Sequence, residues 1–170
     1  MTPDLFADWL KQLHQAGVKV VLDSSHAALT AGLSARPWLV KPNHRELEAW
    51  IGHGLLTMND IIAAAKKLKA QGIAHVIISM GANGSLWLSD EAIMQAQPPR
   101  CEHVVSTVGA GDSMVAGLIY GLINGLPQKD TLAFASAVSA FAVSQSNVGI
   151  SDRTLLEPIL NNVNITAIEG

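Results

Sequence analysis

Gly17-Val18-Lys19-Val20-Val21-Leu22-Asp23 is a glycine stop followed at once by an apolar run of strand character. On its N-terminal side Thr2 can cap a helix with Pro3 at the first position, and Leu5, Phe6, Trp9, Leu10 and Leu13 form the apolar stripe of that helix. Helix, glycine and apolar strand in this succession is the rhythm of an α/β chain with a parallel sheet. The rhythm continues outward. A short helix over 27–33 leads to a second strand, Trp38-Leu39-Val40-Lys41, which Pro42 ends, and Asn43 opens a helix through Trp50. Thr57 and Asp60 read as a capping pair for a helix over 58–71, with Gly72 beyond its end. Ala74-His75-Val76-Ile77-Ile78-Ser79 is a third strand, and Asn83-Gly84 is a two-residue hairpin signal from which Ser85–Leu88 returns. A fourth short strand is expected over 92–97, and helices over 111–124, 129–145 and 154–161. The class is α/β, a mainly parallel sheet flanked by helices.

Bulk properties set bounds on function. The chain has 170 residues, a length that fits one domain. Hydrophobic residues make up 49%, which guarantees a core and excludes disorder. Charged residues make up 15%, below the roughly 25% usual for soluble domains, so part of the surface is expected to be covered by further sequence or by a partner. Net charge is −3 and the one adjacent basic pair is Lys66-Lys67, which leaves no footprint for nucleic acid. No apolar run approaches the roughly 18 residues of a membrane span, and Met1-Thr2-Pro3-Asp4 does not begin a signal pattern. Cys101 is the single cysteine, so no internal disulfide can form and a cytoplasmic setting is expected. The six histidines are scattered without the spacing of a zinc site.

Chemistry concentrates in Ser106-Thr107-Val108-Gly109-Ala110-Gly111-Asp112-Ser113-Met114. Its glycines let backbone approach a ligand, and the helix that follows offers unpaired N–H groups at the positive end of its dipole, which makes an anion site. Asp112 conflicts with a bound anion unless it accepts the proton of a hydroxyl that attacks phosphorus held by those amides. Equally open is a plain first-turn carboxylate that complements the dipole. Gly117 and Gly121, four apart on an otherwise apolar helix, allow another element to pack closely. Met114 stands where a dinucleotide fingerprint needs glycine, and neither a G-x-x-x-x-G-K-[ST] loop nor an H-R-D sequence is present.

Asn43-His44-Arg45-Glu46 also has two readings. Asn43 and Glu46 can form a capping box, or they can stand at a strand's carboxyl end and orient hydrated Mg²⁺ on nucleotide phosphates. Ser79-Met80-Gly81-Ala82-Asn83-Gly84 is a further strand end that runs into a glycine turn, suited to pass beneath a nucleotide.

Lys41-Pro42-Asn43-x-x-Glu46, Ser79-x-Gly81-x-x-Gly84 and Thr107-x-Gly109-Ala110-Gly111-Asp112, in this order, resemble the ribokinase-like, or PfkB, family of carbohydrate kinases, and the likeness extends to about Arg153. The resemblance implies ATP and Mg²⁺ as cofactors and a phosphorylated ketohexose as acceptor. The implied acceptor is fructose 1-phosphate, converted to fructose 1,6-bisphosphate. Tagatose 6-phosphate, fructose 6-phosphate and a non-catalytic nucleotide-binding module are the alternatives. It implies Asp112 as base and the amides of Gly109, Ala110, Gly111 and Asp112 as anion hole. Lys41 would lie by the ATP phosphates, and Asn43 and Glu46 would hold Mg²⁺ through water. Ser79, Met80, Gly81, Ala82, Asn83 and Gly84 would line the nucleotide, Val138 and Ala142 the adenine. Asn147 and Gly149 would lie where relatives bind nucleotide or a monovalent cation. Ser106 replaces the aspartate with which many relatives open the glycine motif, which leaves dependence on a monovalent cation open. Family members also carry a sugar-binding Gly-Gly motif and lid strands ahead of the first helix seen here. Residues 1–170 are therefore expected to be a C-terminal nucleotide-binding and catalytic portion, inactive alone and prone to dimerise or self-associate.

Overall fold

The computed structural model describes residues 1–146 and 149–169. The chain forms two compact units, Met1–Met80 with Trp87–Ala92, and Gly81–Leu86 with Ile93–Gly170.

In the first unit the order is α1 (Pro3–Gln15), β1 (Val21–Leu22), α2 (His26–Leu33), β2 (Leu39–Val40), α3 (His44–Ile51), α4 (Met58–Lys69) and β3 (His75–Ser79). Local chemistry starts the helices as the sequence leads one to expect. Thr2 Oγ1 accepts from Leu5 N, and Thr57 and Asp60 bond each other's backbone in a complete capping box. Strands β1, β2 and β3 are parallel, with Val21 opposite Leu39 and Leu39 opposite His75. The strands are shorter than the apolar runs around them, because a ladder extends only where the neighbouring strand is in reach. On α4, Ile61, Ala64, Ala65 and Leu68 face inward at helical spacing and the helix packs on β3, whose Val76, Ile77 and Ile78 are fully buried. Burying one such aliphatic side chain contributes roughly 1.5–3 kcal/mol.

At the other end of β3, His75 lies edge-on to Trp38 and Trp87, with ring centroids at 4.8 and 5.5 Å. Burial, and then the charge of Lys69, lowers the imidazole's pKa from its ordinary value.

The second unit holds β5 (Ile93–Gln97), α5 (Ala110–Ile123), α6 (Gln128–Val143), a 3₁₀ turn at Arg153–Leu156, α7 (Glu157–Leu160) and β6 (Asn164–Ile168). Strand β4 (Ser85–Leu88) divides between the units by sequence. Strands β5 and β6 pair antiparallel from Ile93↔Ile168 to Gln97↔Asn164, so the fold is α/β with parallel and antiparallel pairing. Strand β6 was not expected, and the helix expected over 154–161 is a 3₁₀ turn followed by the single turn α7. Helix α5, apolar all round in sequence, is not buried all round: Tyr120 and Ile123 are exposed. Arg153 covers part of that face, its Nη1 donating to Tyr120 Oη at 3.0 Å and its guanidinium stacked on Tyr120 and Phe134. The buried face packs on α6 as the glycine spacing suggests. A Cβ on Gly117 would stand 2.6 Å from Ala135 Cα, and one on Gly121 would stand 2.5 Å from Thr131 side-chain atoms.

Candidate active site

In the first unit the candidate residues collect at the carboxyl ends of β2 and β3. Lys41 follows β2 directly and its side chain is 4% exposed, with Nζ 3.1 Å from Asp23 Oδ2. Pro42 then lets Asn43 turn the chain into α3. Asn43 forms a parallel bridge with Ser79, and Ser79 N donates to Pro42 O at 3.1 Å. Backbone pairing thus brings together Lys41, Asn43, Glu46 and Ser79, with Met80 next in the chain. Asn43 Oδ1 accepts from Glu46 N at 2.9 Å and Glu46 Oε2 accepts from Asn43 N at 2.8 Å, so the capping box is real. Glu46 Oε1 takes no part in it.

A cleft of about 380 Å³ opens between α2 and α3, lined by His26, Thr30, Asn43, Arg45, Glu46 and Trp50 among others. His26 begins α2 with φ +52°, a left-handed conformation uncommon outside glycine. Sequence reasoning missed Asp23 and His26. Asp23 closes an apolar strand like many polar strand ends and stands out only once the register sets it against Lys41, and His26 shows nothing until its backbone angle is seen.

In the second unit the turn Gly81–Asn83 is 3₁₀ and not the expected two-residue hairpin. Gly84 follows at φ +82°, where an added Cβ would fall 1.9 Å from Ala96 O, and Gln97 Nε2 donates to Ala82 O at 2.9 Å. Backbone from Gly81 to Gly84 is therefore held firmly without large side chains.

Gly109 caps α5 at φ +81° and contributes no side chain. Val108 N is taken by Ser106 Oγ, Ala110 N reaches Thr107 O at 3.4 Å, and Ser113 N donates to Gly109 O. Among the described residues the amides of Gly109, Gly111 and Asp112 have no hydrogen-bond acceptor, and the Asp112 carboxylate beside them is exposed and unpaired. The platform is rigid, because α6 closes on Gly117 and Gly121 and Ser139 Oγ donates to Ala110 O at 2.9 Å. Val138, next to Ser139, is buried and Ala142 is half-buried one turn on. Gly149 is exposed at φ +123°, and Asn147 lies outside the described residues.

The donor set bears on a metal. Among the described residues no three His, Cys, Asp or Glu side chains gather as a ligand cage. One free carboxylate oxygen of Glu46 suits Mg²⁺, which keeps most of its water and takes few protein ligands. No helix among the described residues is long and apolar enough to cross a membrane.

Comparison with known proteins bears on this geometry. The model of the pfkB family of carbohydrate kinases matches residues 1–155. The 1-phosphofructokinase of Haemophilus influenzae is 72% identical over 170 residues, which is all of this chain and 54% of that protein. The 1-phosphofructokinase of Escherichia coli K12 is 53% identical over 165 residues, 97% of this chain and 53% of that protein. Among solved structures, the phosphofructokinase-2 of Escherichia coli in complex with substrates and products superposes with a TM-score of 0.87 at 27% identity, covering 95% of this chain and 52% of that one. The chain spans about half the length of the curated relatives it matches.

Proposed function

The chain belongs to the pfkB family of carbohydrate kinases, and from that premise we propose that it supplies the nucleotide-binding and proton-accepting groups of a sugar-phosphate kinase. The reaction transfers the γ-phosphoryl group of ATP to a hydroxyl of a phosphorylated ketohexose. Fructose 1-phosphate, giving fructose 1,6-bisphosphate, is the acceptor that the relatives' names favour. Tagatose 6-phosphate and fructose 6-phosphate are the acceptors to compare with it.

One observation carries the reading: three backbone amides, unpaired among the described residues, at a glycine-capped helix start, with an exposed carboxylate in the same first turn. Asp112 accepts the acceptor hydroxyl's proton as the new oxygen–phosphorus bond forms and the bond to the ADP oxygen breaks. The amides of Gly111 and Asp112 face the charge on the transferring group, and a preorganised donor of this kind acts without reorganising. Lys41 adds a positive charge for the phosphates. Mg²⁺, when bound, offsets phosphate charge, and Glu46 and Asn43 would hold it through water. Residues Ser79–Gly84 line the nucleotide, with Val138 and Ala142 at its base.

The test is Asp112→Asn in the complete protein. ATP binding should persist while turnover falls about 10²–10⁴-fold, the usual worth of general-base catalysis. Turnover within a few-fold of wild type would remove Asp112 from the chemistry. Absence of ATP-dependent phosphorylation of all three acceptors by the wild type would overturn the reading as a whole.

A further inference from the structure

Among the described residues Lys41 is the one buried charged side chain. An ammonium held away from water is costly unless a counter-charge meets it. That counter-charge comes from Asp23, and the backbone fixes the meeting. Val21 pairs with Leu39 and Leu22 with Val40, so the parallel register sets Asp23 opposite Lys41, and Lys41 N donates to Leu22 O at 3.0 Å. Both residues stand just past the carboxyl ends of adjacent parallel strands, the edge where α/β sheets receive ligands. Asp23 is 28% exposed and Lys41 4%, so the pair sits at the rim of the sheet and not in its interior.

We propose that Asp23 is a positioning residue for phosphate recognition, its carboxylate fixing the Lys41 ammonium where an anionic phosphate oxygen can reach it; this rests on the nucleotide site proposed above. An ammonium has three donors. Apart from the Asp23 contact, Lys41 Nζ has no acceptor among the described residues, so donor capacity is left for a ligand. A lysine stem has four rotatable bonds and much rotamer entropy to lose. A neighbouring carboxylate takes that ordering out of the binding step, which makes Asp23 act through Lys41 rather than on the ligand.

The experiment uses the complete protein with Asp23→Asn, Asp23→Glu, Lys41→Met and the Asp23→Asn/Lys41→Met pair. ATP binding is measured by calorimetry without acceptor, and KM and kcat are measured with it. Asp23→Asn should weaken ATP binding and raise its KM about tenfold, the scale of one charge-assisted contact, with a smaller change in kcat at saturating ATP. Asp23→Glu should recover most of the loss, and Asp23→Asn should add nothing in the Lys41→Met background. Asp23→Asn binding within twofold of wild type, or losses that simply add in the double variant, would overturn the proposal even where melting temperature falls. If the single variant does not fold, the double variant decides, since it leaves no lone buried charge: equality with Lys41→Met supports the positioning role and a further loss of binding refutes it. Wild-type protein that binds no ATP would sink the nucleotide site itself, a separate failure.

Discussion

Glu46→Gln separates two roles that one side chain can play. Glutamine keeps a carbonyl oxygen at the same reach, so the bond now made by Glu46 Oε2 to Asn43 N at 2.8 Å persists, although it is no longer charge-assisted. The reciprocal bond from Glu46 N to Asn43 Oδ1 is backbone to Asn43 and is untouched. What is lost is part of one hydrogen bond and a negative charge near the helix N-terminus, the latter worth about 0.3–1 kcal/mol at an exposed site. A total near 1 kcal/mol corresponds to a fall of about 2–4 °C in melting temperature for a chain of this size. If the free Oε1 helps to hold hydrated Mg²⁺, the substitution should also raise the Mg²⁺ concentration for half-maximal rate, by about tenfold for one charge-assisted contact. Thermal melts without metal and initial rates across a Mg²⁺ titration in the complete protein give the two readouts. A melting temperature lowered by well over 4 °C with an unchanged Mg²⁺ profile would refute the metal role and leave Glu46 as a cap alone.

Gly84→Ala should destabilise the protein by about 3 kcal/mol or more, read from urea unfolding, because strained positive-φ backbone (+82°) adds to the overpacking of a Cβ placed 1.9 Å from Ala96 O. A midpoint unchanged from wild type would mean that the turn moves aside freely. His75 gives a pH dependence: burial lowers its folded-state pKa from the ordinary 6.5, so below that value the unfolded chain binds a proton that the folded chain does not, and stability falls with pH until the folded ring protonates as well. His75→Phe, which keeps a ring between Trp38 and Trp87, should flatten this decline in urea midpoints between about pH 7.5 and 5, and an unchanged slope would show that other groups cause it.

The parts of this molecule legible in sequence are those whose physics is local. Thr2, the Thr57–Asp60 pair and the Asn43–Glu46 pair each act across three residues, and all three caps form as read. Gly117 and Gly121 announce close packing because removing a side chain leaves few other uses for a helix position, and Ala135 and Thr131 fill the space. What was illegible depends on partners distant in the chain. The apolar run after Gly17 keeps only Val21 and Leu22 as strand, since β2 decides how far the ladder goes. Strand β6 exists through β5, and its β-branched Ile165, Thr166 and Ile168 were its one local sign. Asp23 looks like any polar strand end until the register sets it against Lys41. Sequence also framed Asn43 and Glu46 as either a cap or a metal holder, and the geometry dissolves that opposition. The cap uses one carboxylate oxygen of Glu46, fixes its rotamer and leaves the other oxygen without a partner among the described residues. An oxygen so fixed has less freedom to lose when a ligand's water binds it, so the capping box is what would make Glu46 an effective ligand-holding group.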